Sequence, residues 1–188
     1  PRMREALHKM CEAPVMEVGP GLKSGVRIRM DNPAQLGGEL LCAVVGALQR
    51  HTPPLVVANF DTAISMLAVD GEGALVGGAI LPGPQLSLAA LVKNTAQLPQ
   101  VELDARPKRM VGANTADCLH SGMVHGTAAM VDGMVENFRA ALKAPDAPVV
   151  TTGTLPRSVW AACRTQVDHR ETLVLDGLYT IWKRNARR

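Results

Sequence analysis

Apolar positions along this chain repeat at helical spacing, then at strand spacing, then at helical spacing again. Leu36, Leu40, Leu41, Val44, Val45 and Leu48 fall at offsets of 4, 5, 8, 9 and 12 and draw one stripe along a helix. Asn32-Pro33 predicts its start, since Asn caps well and Pro suits a first turn. His51 to Pro54 predicts its end. Three strands follow, over 55–60, 64–70 and 74–81, and Asp70-Gly71-Glu72-Gly73 joins the second to the third as a hairpin. Gly77-Gly78 inside the third strand predicts a bulge or a close backbone approach.

The helical pattern returns at 86–97, then over a long stretch at 115–143, and again at 155–164 and 171–184. Val149 to Thr152, closed by Gly153, reads as a strand between them. At the front, residues 1–13 read as a short helix stopped near Pro14. Gly19-Pro20-Gly21 is a turn, and Val26-Arg27-Ile28-Arg29 alternates as a strand. Gly122, Gly126 and Gly133 interrupt the long helix, each at about 1 kcal/mol relative to Ala. They predict either close packing against another backbone, such as a partner subunit, or a local kink.

Strands followed by alternating helices and a strand predict an α/β fold, a mixed sheet with helices on its faces. That is the layout of a ribonuclease H-like domain, the unit that sugar kinases and actin-like ATPases use in pairs. One copy is visible, over 34–188. Residues 1–33 read as a helix and connecting strand, the remnant or end of a missing N-terminal ATPase domain. The start at Pro1 leaves a missing or removed upstream segment open.

Composition narrows the function. With 188 residues and 47% apolar content, the chain can bury a full core. Aromatics are only 3% and the net charge is +3, which argues against stacking on or steering toward nucleic acid. Lys183, Arg184, Arg187 and Arg188 read as a solvated tail, with contact to a phosphate or acidic partner as the other use. Cys11, Cys42, Cys118 and Cys163 are widely spaced, which predicts reduced thiols and a cytoplasmic protein. His120 and His125, five apart, do not share a helical face, so no zinc site is expected. No apolar run reaches the length of a membrane span, and no signal peptide opens the sequence.

Candidate chemistry centres on Asn59-Phe60-Asp61-Thr62, the turn between the first two strands of the meander. Phosphate-transfer enzymes place an acidic and a hydroxyl side chain on such turns to hold a metal ion and a nucleotide. Here an amide stands where a carboxylate is expected. Magnesium and monovalent cations prefer hard carboxylate oxygens. Asn59 keeps an oxygen without the charge, and cation affinity should fall. Asp61, two residues on, could restore a carboxylate on the same face, or could cap its own backbone.

Seven fragments, in order, resemble type III pantothenate kinase, the family that opens coenzyme A biosynthesis. Val18-Gly19-Pro20-Gly21, ending at Gly25, is similar to its VGPGxxxG segment, and Asp31-Asn32-Pro33 to its DNP. Gly77-Gly78-Ala79-Ile80-Leu81-Pro82-Gly83 resembles GGAIxPG, and Thr95-Ala96-Gln97-Leu98-Pro99 resembles TAxLP. Gly112-Ala113-Asn114-Thr115, followed by Ser121-Gly122 and Gly126, resembles GxNT…SGxxxG. Thr152-Gly153 and Leu173 to Leu178 resemble the closing TGG and LxLxGL elements. The resemblance covers nearly everything from Pro14 onward.

It implies ATP-dependent phosphorylation of pantothenate with Mg2+ and a monovalent cation, K+ or NH4+. It also marks where this chain departs. The family's Gly-Ala-Asp-Arg, with a proposed base and a pantothenate-holding Arg, is here Gly37-Gly38-Glu39-Leu40. Its Asp-Phe-Gly-Thr, with a cation-binding Asp and a Thr near ATP, is here Asn59-Phe60-Asp61-Thr62. A Tyr before DNP is here Met30, and the phosphate loop of the N-terminal domain is absent. By the resemblance Glu39 is the catalytic candidate and Gly37, Gly38 and Thr115 line the substrate site. Thr62 meets nucleotide, and Asn59 and Asp61 are the metal candidates. Glu39 also suits a helix N-terminal turn without any chemistry, and Thr115 also suits a helix cap. In the family the homodimer interface forms the pantothenate site, and the Thr matching Thr115 reaches into the other subunit.

Three readings follow. The chain is a catalytically impaired subunit that completes the site of a homologous chain, as a heterodimer or homodimer; it is a non-catalytic regulatory or metabolite-binding module of the same fold; or it is an enzyme with its first domain trimmed. Trimming explains the lost phosphate loop but not Leu40 or Asn59. The first reading is preferred.

Overall fold

The computed structural model describes residues 2–10, 15–19 and 21–186. In chain order it contains α1 (Arg2–Met10), β1 (Arg27–Ile28), α2 (Gly38–Leu48), β2 (Leu55–Phe60), β3 (Ala63–Val69) and β4 (Ala74–Pro82). Then come α3 (Pro84–Asn94), α4 (Thr115–Ala141), β5 (Val149–Gly153), α5 (Arg157–Ala162), β6 (Asp168–His169) and α6 (Leu173–Asn185). The strands form one sheet in the order β1-β4-β3-β2-β5-β6. β2, β3 and β4 are an antiparallel meander, while β5 runs parallel to β2, β6 to β5 and β1 to β4. This is the mixed, helix-flanked sheet that the strand and helix pattern predicts.

β2 is buried on both faces, which explains its nearly unbroken apolar run. Val56, Ala58 and Phe60 pack against Val124, Val131 and Val135 of α4. Val57, with Leu67 and Val69 of β3, packs on the other face against Ala43, Val44 and Ala47 of α2. Each fully buried Val or Leu contributes about 1.5–3 kcal/mol. α6 lies against α2 at very short range. A Cβ on Gly177 would collide with the Cys42 carbonyl, and one on Gly46 with the Leu173 carbonyl.

Several boundaries differ from the sequence expectation. Asn32 does cap a helical turn, accepting from Ala34 N–H at 3.2 Å, but that turn is a separate 3-10 piece over Pro33–Gln35. Leu36 and Gly37 are extended, so α2 starts at Gly38 and Leu36 packs against the core from outside it. α3 covers Pro84–Asn94, two residues earlier at the start than the pattern suggests and shorter at its end, because Pro84 itself occupies the first turn. β6 is unpredicted, being only two polar residues at the sheet edge. The glycines in β4 do mark a bulge: the register passes from Gly77 opposite Ala68 to Leu75 opposite Val69 and leaves Val76 over. Gly77 has φ 152° there. α4 runs unbroken for 27 residues, about 40 Å, so its glycines do not break it into two helices. Cys42, Cys118 and Cys163 are free thiols; Cys11 lies outside the described residues.

Candidate functional site

The C-terminal end of β2, with β5 paired beside it, meets the N-terminal end of α2. Asn59 is the penultimate residue of β2 and faces α2, as Val57 does two positions earlier. Its register neighbours are Ser65 on β3 and Thr152 on β5, so three polar side chains share one row at this end of the sheet. Glu39 sits in the first turn of α2. Asn59 Nδ2 donates to Glu39 Oε1 at 2.8 Å. Asn59 is only 8% exposed, whereas Glu39 is exposed.

The other side of the Asn59 amide faces β5. A Cβ on Gly153 would lie 2.8 Å from Asn59 Oδ1 and would also collide with the Phe60 carbonyl. Gly153 has φ +83°, a conformation that glycine adopts freely. The amide is therefore seated with its nitrogen toward a carboxylate and its oxygen toward a glycine. The charge on Glu39 reaches one turn along α2: it acts with burial to raise the Cys42 thiol, burial being the larger cause.

Asp61 and Thr62 follow β2 on an exposed turn. The Gly83 N–H donates to the Thr62 carbonyl at 2.9 Å, and Asp61 N–H donates to the Ala63 carbonyl at 3.1 Å. A Cβ on Gly83 would sit 2.5 Å from the Asp61 carbonyl, so only glycine can lie against this turn. Asp61 is thus beyond the strand rather than two steps along it. Among the described residues no group of three or more His, Cys, Asp or Glu is placed to hold a metal ion. The group that Glu39 faces is an N–H, the Asn59 amide.

Gly37 is the N-cap position of α2, extended at φ −61° and ψ 138°. Gly38 lines a cleft of about 460 Å3 together with Asn32, Pro33, Leu36 and Val18. Leu40 is half-buried and packs into the core between α2 and the sheet. Thr115 opens α4, on the opposite face of the sheet from α2 and Glu39. Its helix is capped by Asn114, which accepts from Asp117 N–H at 2.9 Å. Thr115 is exposed, with the cap role already filled. The structure therefore joins Glu39, Asn59 and the two glycines, and presents Thr115 elsewhere. Thr152 and Ser65 were not singled out from sequence. Thr152 could have been, since it lies in the Thr152-Gly153 fragment.

A sequence profile of the family described as type III pantothenate kinase matches residues 1–137. The type III pantothenate kinase of Thermobifida fusca is 40% identical over 177 residues, covering 93% of this chain and 68% of that protein. This chain belongs to the type III pantothenate kinase family. The Myxococcus xanthus enzyme is 38% identical over 191 residues, covering 98% of this chain and 73% of its own length. The chain thus spans about two thirds to three quarters of these family members. A solved structure of a conserved Baf family transcriptional activator from Campylobacter jejuni superposes with a TM-score of 0.56 at 21% identity, over 85% of this chain and 70% of that one. That likeness concerns the fold alone. No helix among the described residues is long and apolar enough to cross a membrane.

Proposed function

We propose that this chain is a subunit of a type III pantothenate kinase-like enzyme, itself catalytically impaired, that completes a homologous partner's active site across a dimer interface. The reaction is transfer of the γ-phosphoryl group of ATP to pantothenate. The partner supplies the base, the arginine and most of the binding of ATP, Mg2+ and the monovalent cation. Phosphoryl transfer depends mainly on positioning and electrostatics, and those are the properties altered here. The observation that carries the reading is the contact between Glu39 and Asn59 next to Leu40. Two positions tied to the chemistry bond to each other, and a third is packed into the core.

What this chain would give is a surface. Gly122, Gly126 and Gly133 lie along one side of α4, and a Cβ at any of them would meet nothing within 4 Å. With Ala129 between them they form a row of small residues that another backbone can approach closely. Thr115 begins the same helix, exposed, where it can reach a pantothenate bound mostly by the partner.

Co-expression with the nearest paralogue tests this. The complex should release ADP in a pantothenate-dependent manner, and the isolated chain should show little or no turnover. A partner that is a fully active homodimer and ignores this chain would end the reading. Thermal unfolding against pantothenate, coenzyme A and nucleotides separates the regulatory alternative, since a regulator binds one of these alone.

A further inference from the structure

Two carboxylates at hydrogen-bonding distance repel each other and require a shared proton or a bound cation. By the resemblance, positions 39 and 59 would both carry Asp, and such a pair would call for a counter-charge. This chain has one carboxylate and one amide. The amide N–H meets Glu39 Oε1 at 2.8 Å, a charge-assisted hydrogen bond. A cation at that spot would meet the positive end of the N–H dipole. The Asn59 oxygen is turned away, toward Gly153. Asn59 is buried, and its register neighbours Ser65 and Thr152 are uncharged, so the row adds no second carboxylate.

We propose that the Asn59 amide stands in for a cation beside Glu39, so that this centre is held together without binding K+ or NH4+. The inference rests on reading positions 39 and 59 as the counterpart of a kinase centre. It concerns the cation site of this chain alone; the partner keeps its own. The Asn59 side chain here is a positioning residue that fixes the Glu39 carboxylate at the mouth of the sheet.

The test uses the isolated chain and no turnover. Thermal midpoints are recorded at constant ionic strength while K+ or NH4+ replaces tetramethylammonium, and Tl+ binding is followed by thallium NMR. The native chain should show no saturable response. Asn59→Asp should create the missing carboxylate pair, lose stability in tetramethylammonium, and recover by about 3 °C or more in K+, as expected when a ligand binds only the folded state. The exchange variant Glu39→Gln/Asn59→Asp again has one amide and one carboxylate, and should lose the cation response. A saturable K+ or Tl+ response in the native chain overturns the proposal, whatever the variants do. So does a folded Asn59→Asp variant indifferent to K+, or an exchange variant that stays K+-dependent. Failure of the co-expressed complex to phosphorylate pantothenate would remove the kinase reading and leave these cation results standing, so the two ideas fail separately.

Discussion

Asp132 on α4 accepts two hydrogen bonds from Thr165, one from its backbone N–H at 2.9 Å and one from its hydroxyl at 2.7 Å. The Arg164 N–H donates to the same carboxylate at 2.9 and 3.1 Å. Asp132 is 3% exposed, so burial pushes its carboxyl up, but these hydrogen bonds together outweigh burial and leave it below the usual Asp value. The pair fastens the segment after α5 to α4.

Asp132→Asn should therefore destabilise the chain by about 2–3 kcal/mol, because an NH2 group would face donors in a buried place. Urea unfolding at pH 7 measures it. The pH dependence has a definite sign. A depressed carboxyl stabilises the fold above the unfolded Asp pKa, about 3.9, and that contribution is lost as pH falls through the lower folded value. Native and variant stabilities should converge in that acid range.

Gly177→Ala should destabilise by about 2 kcal/mol or more, since its Cβ would strike the Cys42 carbonyl and push α6 off α2. Gly71→Ala, where the added Cβ meets nothing within 4 Å, is the control and should stay within about 0.5 kcal/mol. Thermal unfolding of the two variants side by side decides this.

Gly122→Ala and Gly126→Ala should act in opposite directions on chain and complex. Each gains up to about 1 kcal/mol of helix propensity in the isolated chain. Each also fills the row that the proposed partner approaches, and should weaken association tenfold or more. Calorimetry of the single chain and sedimentation of the complex give the two readings.

A double-mutant cycle on Glu39→Ala and Asn59→Ala should return a coupling of about 1 kcal/mol in urea unfolding. Glu39→Ala removes the exposed acceptor of a buried amide, whereas Asn59→Ala also empties a buried site. The second substitution should be the more destabilising of the two.

The fold was legible where the apolar period was unambiguous. α2 and α4 follow from spacing, because their buried faces demand it, and the meander follows from apolar runs bounded by turn residues. The start of α2 is not legible because Asn32-Pro33 is a good cap for any helical turn, and here it caps a 3-10 turn instead. β6 was invisible: two polar residues at a sheet edge carry no period. The candidate site was legible as single positions, not as a pair. Glu39 and Asn59 are 20 residues apart, and only the antiparallel return of β2 along α2 brings their side chains together. The glycines of α4 carry two meanings in sequence, and the unbroken helix removes the one in which they separate two helices.

The N–H of Gly83 holds the carbonyl of Thr62, and its missing side chain gives the neighbouring Asp61 carbonyl room. The form of the loop between β2 and β3 is thereby dictated from the far end of β4, not by the loop's own side chains. The exposed side chains of Asp61 and Thr62 on that loop can vary while the backbone keeps its path. A framework fastened in this way holds its course whichever side chains the loop carries.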